Sequence, residues 1–217
     1  DRGSRELPFI DLVGSVCHSN GLQSAVFSDV SPNPTDEDIA RGKTVFNNGG
    51  HDGVIAIGGG SGMDAGKAIS LVGRNDADLW AFDYDQPESP ALGSESFVPL
   101  ICVPTTAGTG AETESTAMLT DTVQGVKRCI WHTTQKPLLA ILDPEVTVNL
   151  PADLTAWTGC DALVHAIEAF SVPDWNPLCD GLALEAIRLI SGSLESAVAH
   201  GDDLEARGAM LVGSCLA

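Results

Sequence analysis

Val54-Ile-Ala-Ile-Gly-Gly-Gly-Ser-Gly-Met-Asp-Ala-Gly-Lys67 decides how the rest of the chain is read. Four apolar residues form a buried strand, the chain turns on glycines, and a helix runs from about Ser61 to Val72. Strand, tight turn and helix in this order are the unit from which parallel sheets covered by helices are built. Glycine lets a ligand approach the backbone, and the free N–H groups and positive dipole end of the helix favour a phosphate. The same stretch also suits a strand–helix turn that holds nothing. A G-x-G-x-x-A match at Gly60, Gly62 and Ala65 is weak and falls outside the usual dinucleotide register.

Outward from this unit the chain keeps alternating. Ser24–Ser28 and Phe97–Val103 read as strands, as does Leu139–Leu142. Thr35–Asn48 reads as a helix whose first turn, Asp36-Glu37-Asp38, is acidic and whose end is marked by Gly49-Gly50. Residues 116–130 read as a hairpin turning near Asp121–Gly125. From Pro151 the character changes, and Ala152–Phe170, Asn176–His200 and Asp202–Ala217 all read as helices, with Pro173 and Pro177 punctuating the first break. The expected organisation is a Rossmann-like α/β domain with a parallel sheet over residues 1–149, followed by the start of an all-helical domain over 150–217. Both ends read as cuts. Asp1 has no preceding strand, and the last helix runs apolar through Met210, Leu211, Val212 and Leu216 with nothing to pack against.

Composition narrows the partners. Of the 217 residues 43% are hydrophobic and 19% charged, which suits a packed core rather than a disordered chain. A net charge of −19 argues against nucleic acid and anionic membranes, which need a basic footprint. The acidity suits ordinary solubility or a salt-adapted source, since Lys and Arg together number 11 against 30 Asp and Glu. No apolar run is long enough to cross a bilayer and no signal peptide opens the chain. Six cysteines without CxxC spacing read as reduced, mostly buried thiols, which suits a cytoplasmic setting.

Two more stretches carry chemistry. Val103-Pro-Thr-Thr-Ala-Gly-Thr-Gly-Ala-Glu112 follows a buried strand and places three hydroxyls and two glycines where open α/β sheets bind ligands. Such a loop suits phosphate, ribose or carboxamide, or serves only as structure. In Thr158-Gly-Cys-Asp-Ala-Leu-Val-His-Ala-Ile-Glu-Ala-Phe170 nearly every other side chain is apolar, so burial almost all round is expected. Asp161, His165 and Glu168 interrupt it at i, i+4 and i+7, one stripe of one face. Asp161 and His165 offer the O and N donors of a Zn²⁺ or Fe²⁺ site one turn apart, or form a hydrogen-bonded pair buttressing a core. Glu168 reads as structural or as a partner to a ligand, and Cys160 as packing. His18, His51, His132 and His200 read as surface residues without a role. Asp83–Pro90 reads as a solvated loop and Trp80, Trp131, Trp157 and Trp175 as packing.

Taken in order, the three stretches resemble the iron-containing (group III) alcohol dehydrogenases. That family's GGGSxxDxxK, PTTAGTGAE and GxDALxHAIEA signatures correspond to Gly58–Lys67, Pro104–Glu112 and Gly159–Ala169. Ser31-Pro-Asn-Pro34, Leu142-Asp-Pro144 and Leu150-Pro151 also fall where the family has similar stretches, so the resemblance spans essentially the whole chain. It implies that Gly59, Gly60 and Ser61 hold the diphosphate of a dinucleotide, that Thr105, Thr106 and Thr109 line its phosphate and nicotinamide side, and that Lys127 lies nearby. Asn33 is implied as a cofactor contact. Asp1 is implied to meet the adenine ribose, and a carboxylate there favours NAD(H) over NADP(H). Asp64 either touches the cofactor or caps the glycine turn. Asp161 and His165 match the first two of four metal ligands, Fe²⁺ ahead of Zn²⁺, and the two later histidines lie beyond Ala217. No catalytic residue is assigned.

The implied function is NAD(H)-linked interconversion of a small alcohol with an aldehyde or ketone by an enzyme that forms homo-oligomers, with this piece inactive by itself. A glycerol dehydrogenase-like or dehydroquinate synthase-like enzyme of the same superfamily, and a non-catalytic nucleotide-binding module, remain as alternatives.

Overall fold

The computed structural model describes residues 2–217, so Asp1, with the ribose contact implied for it, lies outside the described residues. The chain divides into two compact units. One holds the chain up to Cys102 together with Glu114–Leu139, and the other holds Val103–Thr113 and Ala140–Ala217.

The first unit opens with α1 (Arg2–Arg5) and α2 (Ile10–Ser19). Ser24–Ser28 does not form the expected strand. It has strand-like residues, but among the described residues no strand pairs with it. It anchors instead through Phe27, and Val30 just after it is buried in the core. Helix α3 (Asp36–Asn48) starts where the sequence indicates. The Thr35 hydroxyl accepts the Asp38 N–H at 3.1 Å while the Asp38 carboxylate accepts the Thr35 N–H at 3.0 Å, a reciprocal cap.

Strand β1 (Val54–Gly58) then leads into α4 (Gly60–Val72). Strands β1, β2 (Leu100–Pro104) and β5 (Leu139–Ala140) lie side by side in the order β1-β2-β5 as a parallel sheet with helices. β2 is shorter than expected because Ser94–Ser96 form a 3-10 turn and Pro99 has no N–H for a ladder; its carbonyl accepts the Val54 N–H at 2.9 Å.

The hairpin β3 (Thr116–Asp121) and β4 (Val126–Trp131) pairs Thr116 with Trp131 through Asp121 with Val126. Its turn is held by the Asp121 carboxylate, which accepts the N–H groups of Val123 and Gln124 at 2.9 Å.

The core of this unit gathers Ile39 and Phe46 of α3, Ala65, Ala68, Leu71 and Val72 of α4, and Leu119 and Ile130 of the hairpin. Each large apolar side chain withdrawn from water there contributes about 1.5–3 kcal/mol. The Asp83–Pro90 stretch is not simply a solvated loop. Asp83 is buried and pairs with Arg128, which also reaches Asp121 at 2.9 Å and lies over the Trp80 ring at 4.4 Å. His132, expected at the surface, is buried edge-on against Phe82, and that burial lowers its pKa.

The second unit is helical: α5 (Ala152–Ser171), α6 (Pro177–Ala199) and α7 (Leu204–Leu216), joined by the Val103–Thr113 loop. Ala162 and Ala166 of α5, Ala186, Ile190 and Ala197 of α6, and Ala206 and Met210 of α7 form its core. Helix α7 does find partners, contrary to expectation: Met210 and Leu211 are buried and Leu216 partly so, while Val212 stays 42% exposed.

The expectation of an all-round buried α5 is also corrected. Only Thr155, Gly159, Ala162 and Ala166 are buried, while Val164, Ile167 and Phe170 remain exposed. Trp157 and Trp175 are 65% and 85% exposed, so they are not packing residues here. Of the cysteines, only Cys17 and Cys102 are buried, and Cys160 and Cys179 are exposed. Among the described residues no helix is long and apolar enough to cross a membrane.

Candidate functional site

In the first unit the candidate is the turn from β1 into α4. Gly58 has φ 147°, a conformation that side chains disfavour, and Gly59 is the residue before the helix. No side chain caps this start and no acidic residue lies in its first turn. Among the described helices of two turns or more, every other one carries an acid in its first turn. An uncapped, acid-free N-terminus in so acidic a chain leaves N–H groups and a partial positive charge available to an anion.

Ser61 donates its hydroxyl to the Pro32 carbonyl. That bond ties the Ser31–Pro34 turn, which carries exposed Asn33, to the start of α4.

Asp64 faces the other way. It lies 3.5 Å from the Lys67 ammonium, itself fully buried, and accepts the Met118 N–H of β3. Burial raises its pKa to about 6 despite the opposing pull of Lys67. Asp64 thus joins α4 to the hairpin beneath the glycine turn. Lys127 is exposed on β4, opposite Thr120.

In the second unit two features come together. The loop Pro104–Glu112 keeps Thr105 buried, Thr106 partly exposed and Thr109 exposed. Gly110 has φ 63° and a side chain there would come within 2.8 Å of the Ser214 carbonyl of α7. A side chain at Gly108 would meet Thr158 of α5.

Three residues on, Asp161 and His165 face each other, Oδ1 to Nε2 at 3.8 Å, with side chains 49% and 40% exposed. Because the stripe is open rather than buried, the cost of an isolated buried charge does not bear on it. What marks the pair is that neither side chain has another hydrogen-bond partner among the described residues. One carboxylate oxygen and one imidazole nitrogen, a turn apart and unengaged, fit a divalent cation in donor type. Among the described residues no group of three possible ligands forms, so the chain presents two donors. Glu168 is exposed.

Sequence reasoning missed Arg207. It is buried in α7 and donates to the Thr155 hydroxyl at 2.8 Å, the Gly201 carbonyl at 3.0 Å and the Leu150 carbonyl at 3.3 Å. Burial lowers its pKa, and no described carboxylate pairs with it. It fixes the first turn of α5, the helix carrying Asp161 and His165. The signal was a lone arginine within an apolar helix.

Two family models match the chain. The family model for iron-containing alcohol dehydrogenase matches residues 1–144, and that for the C-terminal region of the Fe-containing alcohol dehydrogenase family matches 155–217. The chain is 41% identical over 197 residues to an NAD-dependent methanol dehydrogenase of Bacillus methanolicus, covering 91% of this chain and 50% of that protein.

Among solved structures, a 1,3-propanediol oxidoreductase superposes with TM-score 0.92 at 37% identity over 100% of this chain and 55% of that one. A sulfoacetaldehyde reductase from Bifidobacterium kashiwanohense, solved in complex with NAD+, superposes with TM-score 0.85 at 34% identity, covering 96% and 55%. The chain spans about half the length of the relatives it matches.

Proposed function

This chain belongs to the iron-containing alcohol dehydrogenase family, and on that premise we propose that it carries the cofactor-binding part and two metal donors of an NAD(H)-linked oxidoreductase acting on a small alcohol or carbonyl compound. Residues 1–149 serve as the dinucleotide-binding domain and 150–217 begin the helical metal domain. Gly59, Gly60 and Ser61 bind the diphosphate through backbone N–H groups at the start of α4. Asn33 contacts the cofactor from the neighbouring turn, and Thr105, Thr106, Thr109 and Lys127 line it further along. Asp1, at the ribose, favours NAD(H) over NADP(H).

Asp161 and His165 hold the metal, Fe²⁺ ahead of Zn²⁺. Bound nicotinamide and metal supply, respectively, a hydride acceptor and a Lewis acid for the substrate oxygen. The protein's own contribution is to position, through these loops and the α5 stripe, the groups between which hydride passes, and to keep water away from them. The enzyme works in the cytoplasm as a homo-oligomer.

The observation that carries this reading is the unengaged Asp161–His165 pair on one stripe of α5. A nucleotide-binding module would need neither. The test is Co²⁺ and NADH titration of the chain and of Asp161→Ala. Co²⁺ binding, weak because only two donors are present, that is lost in the variant while NADH binding persists supports the proposal. NADH binding with no Co²⁺ response in either protein overturns the metal reading and leaves the module. Alcohol oxidation by this chain alone is expected to be unmeasurable.

A further inference from the structure

Three features sit on one stripe of α5: Thr158, Asp161 and His165, at i, i+3 and i+7. The first of them is where the Val103–Thr113 loop rests. A Cβ placed on Gly108 would lie 3.0 Å from Thr158 Cβ, 3.2 Å from its carbonyl oxygen and 3.4 Å from its Cα. All three atoms belong to the framework of the helix or are rigidly attached to it, so none can swing aside as a side-chain tip would. The adjoining face of α5 is packed into the helical core through Ala162 and Ala166, both wholly buried, so the helix is anchored beside the loop.

Two residues on, Gly110 presses against the Ser214 carbonyl of α7 in the same way. The Thr158 hydroxyl is itself used, donating to the Leu154 carbonyl at 2.9 Å, so Thr158 offers a surface rather than a donor.

We infer that Gly108 is a positioning residue: its contact with Thr158 sets the loop carrying Thr105, Thr106 and Thr109 at a fixed distance from the Asp161–His165 stripe. The glycines of this loop are therefore spent on helix contact, and the threonine hydroxyls and backbone are what remain for a ligand. The inference rests on the proposed cofactor and metal roles of the loop and stripe. It adds that the two are mechanically one piece, so a change at a loop residue that touches no metal alters metal binding.

The test is a double-mutant cycle on this chain, with Co²⁺ visible absorption and NADH fluorescence as separate readouts. Gly108→Ala is expected to weaken Co²⁺ binding about tenfold, the lower range for disturbing the orientation of metal ligands, and to weaken NADH binding as well. Made in a Thr158→Gly background, which removes the nearest clashing atom, the same substitution is expected to cost less than about threefold.

Gly192→Ala, with open space around its added methyl, controls for the effect of an alanine on fold and leaves both affinities unchanged. Circular dichroism and urea midpoints confirm that Gly108→Ala folds. Unchanged Co²⁺ affinity in folded Gly108→Ala, or an equal loss in both backgrounds, overturns the inference while leaving the functional reading intact. A wild-type chain that binds neither Co²⁺ nor NADH removes both.

Discussion

Helices α3 and α4 are each 13 residues long and belong to the same unit, yet they begin in opposite ways. α3 is saturated: Thr35 and Asp38 cap each other's N–H groups, and three acidic residues face the positive end of the dipole. α4 is left open, with glycine where the cap would be and no acid in its first turn. The aspartates of the two helices differ likewise. Asp38 is buried, but N–H groups of Thr35 and Ser31 hold its pKa below the usual value against that burial. Asp64, a turn into its helix, is pushed up to about 6 by burial. The difference teaches that α3 satisfies its own terminus for stability, whereas no side chain does so at α4, where the diphosphate is proposed to bind.

The largest expected effect follows from the two aspartates. Below about pH 6 folded Asp64 keeps a proton that the unfolded chain releases near 3.8. The folded chain therefore binds more protons across this window, and stability is lost as pH rises through it. Two pKa units correspond to about 3 kcal/mol. Urea unfolding at pH 4 and pH 7 should show wild type losing about that much relative to Asp64→Asn as pH rises; parallel curves would remove the burial argument. Asp38 acts with the opposite sign, its contribution present above pH 3.8 and lost as pH falls through its lowered pKa.

Giving α4 the character of α3 comes next. Ser61→Asp places a carboxylate where the diphosphate is proposed to sit. NADH affinity should fall about a hundredfold by fluorescence titration, the scale of a like-charge approach near a protein surface. Retained affinity would move the phosphate site elsewhere. The smallest effect is the reverse change: Thr35→Ala opens the start of α3, costing about 1 kcal/mol in urea unfolding. NADH affinity is expected to change far less than in Ser61→Asp, since Thr35 is not proposed to touch the cofactor. A parallel loss of NADH binding would blur the distinction between the two helices.

Much of this was legible in the sequence because it is local. The β1–α4 turn, the Thr35 start, the hairpin about Asp121–Gly125 and the three late helices are each dictated by neighbours within a few residues. Ser24–Ser28 does not form a strand because strands exist only through partners, and no strand pairs with it among the described residues. Asp83 read as solvated because its partner, Arg128, lies 45 residues away. The site divided in the same way. The uncapped glycine turn and the Asp161–His165 spacing could be read directly, whereas Arg207 and the contact of Gly108 with Thr158 could not.

The sequence by itself determined that one helix opens with an acidic turn and the next with glycines, which loop carries three hydroxyls, and that an oxygen and a nitrogen donor share one helical stripe. Spacing along the chain and backbone geometry settle those matters. Only the tertiary structure decided that α5 is half exposed rather than buried, that Asp64 turns from the glycine turn toward Lys67 and Met118, and that the glycines of the threonine loop are used against α5 and α7. Each of these depends on what segments distant in the chain bring alongside, and burial, pKa and close approach are properties of those neighbours rather than of the residue itself.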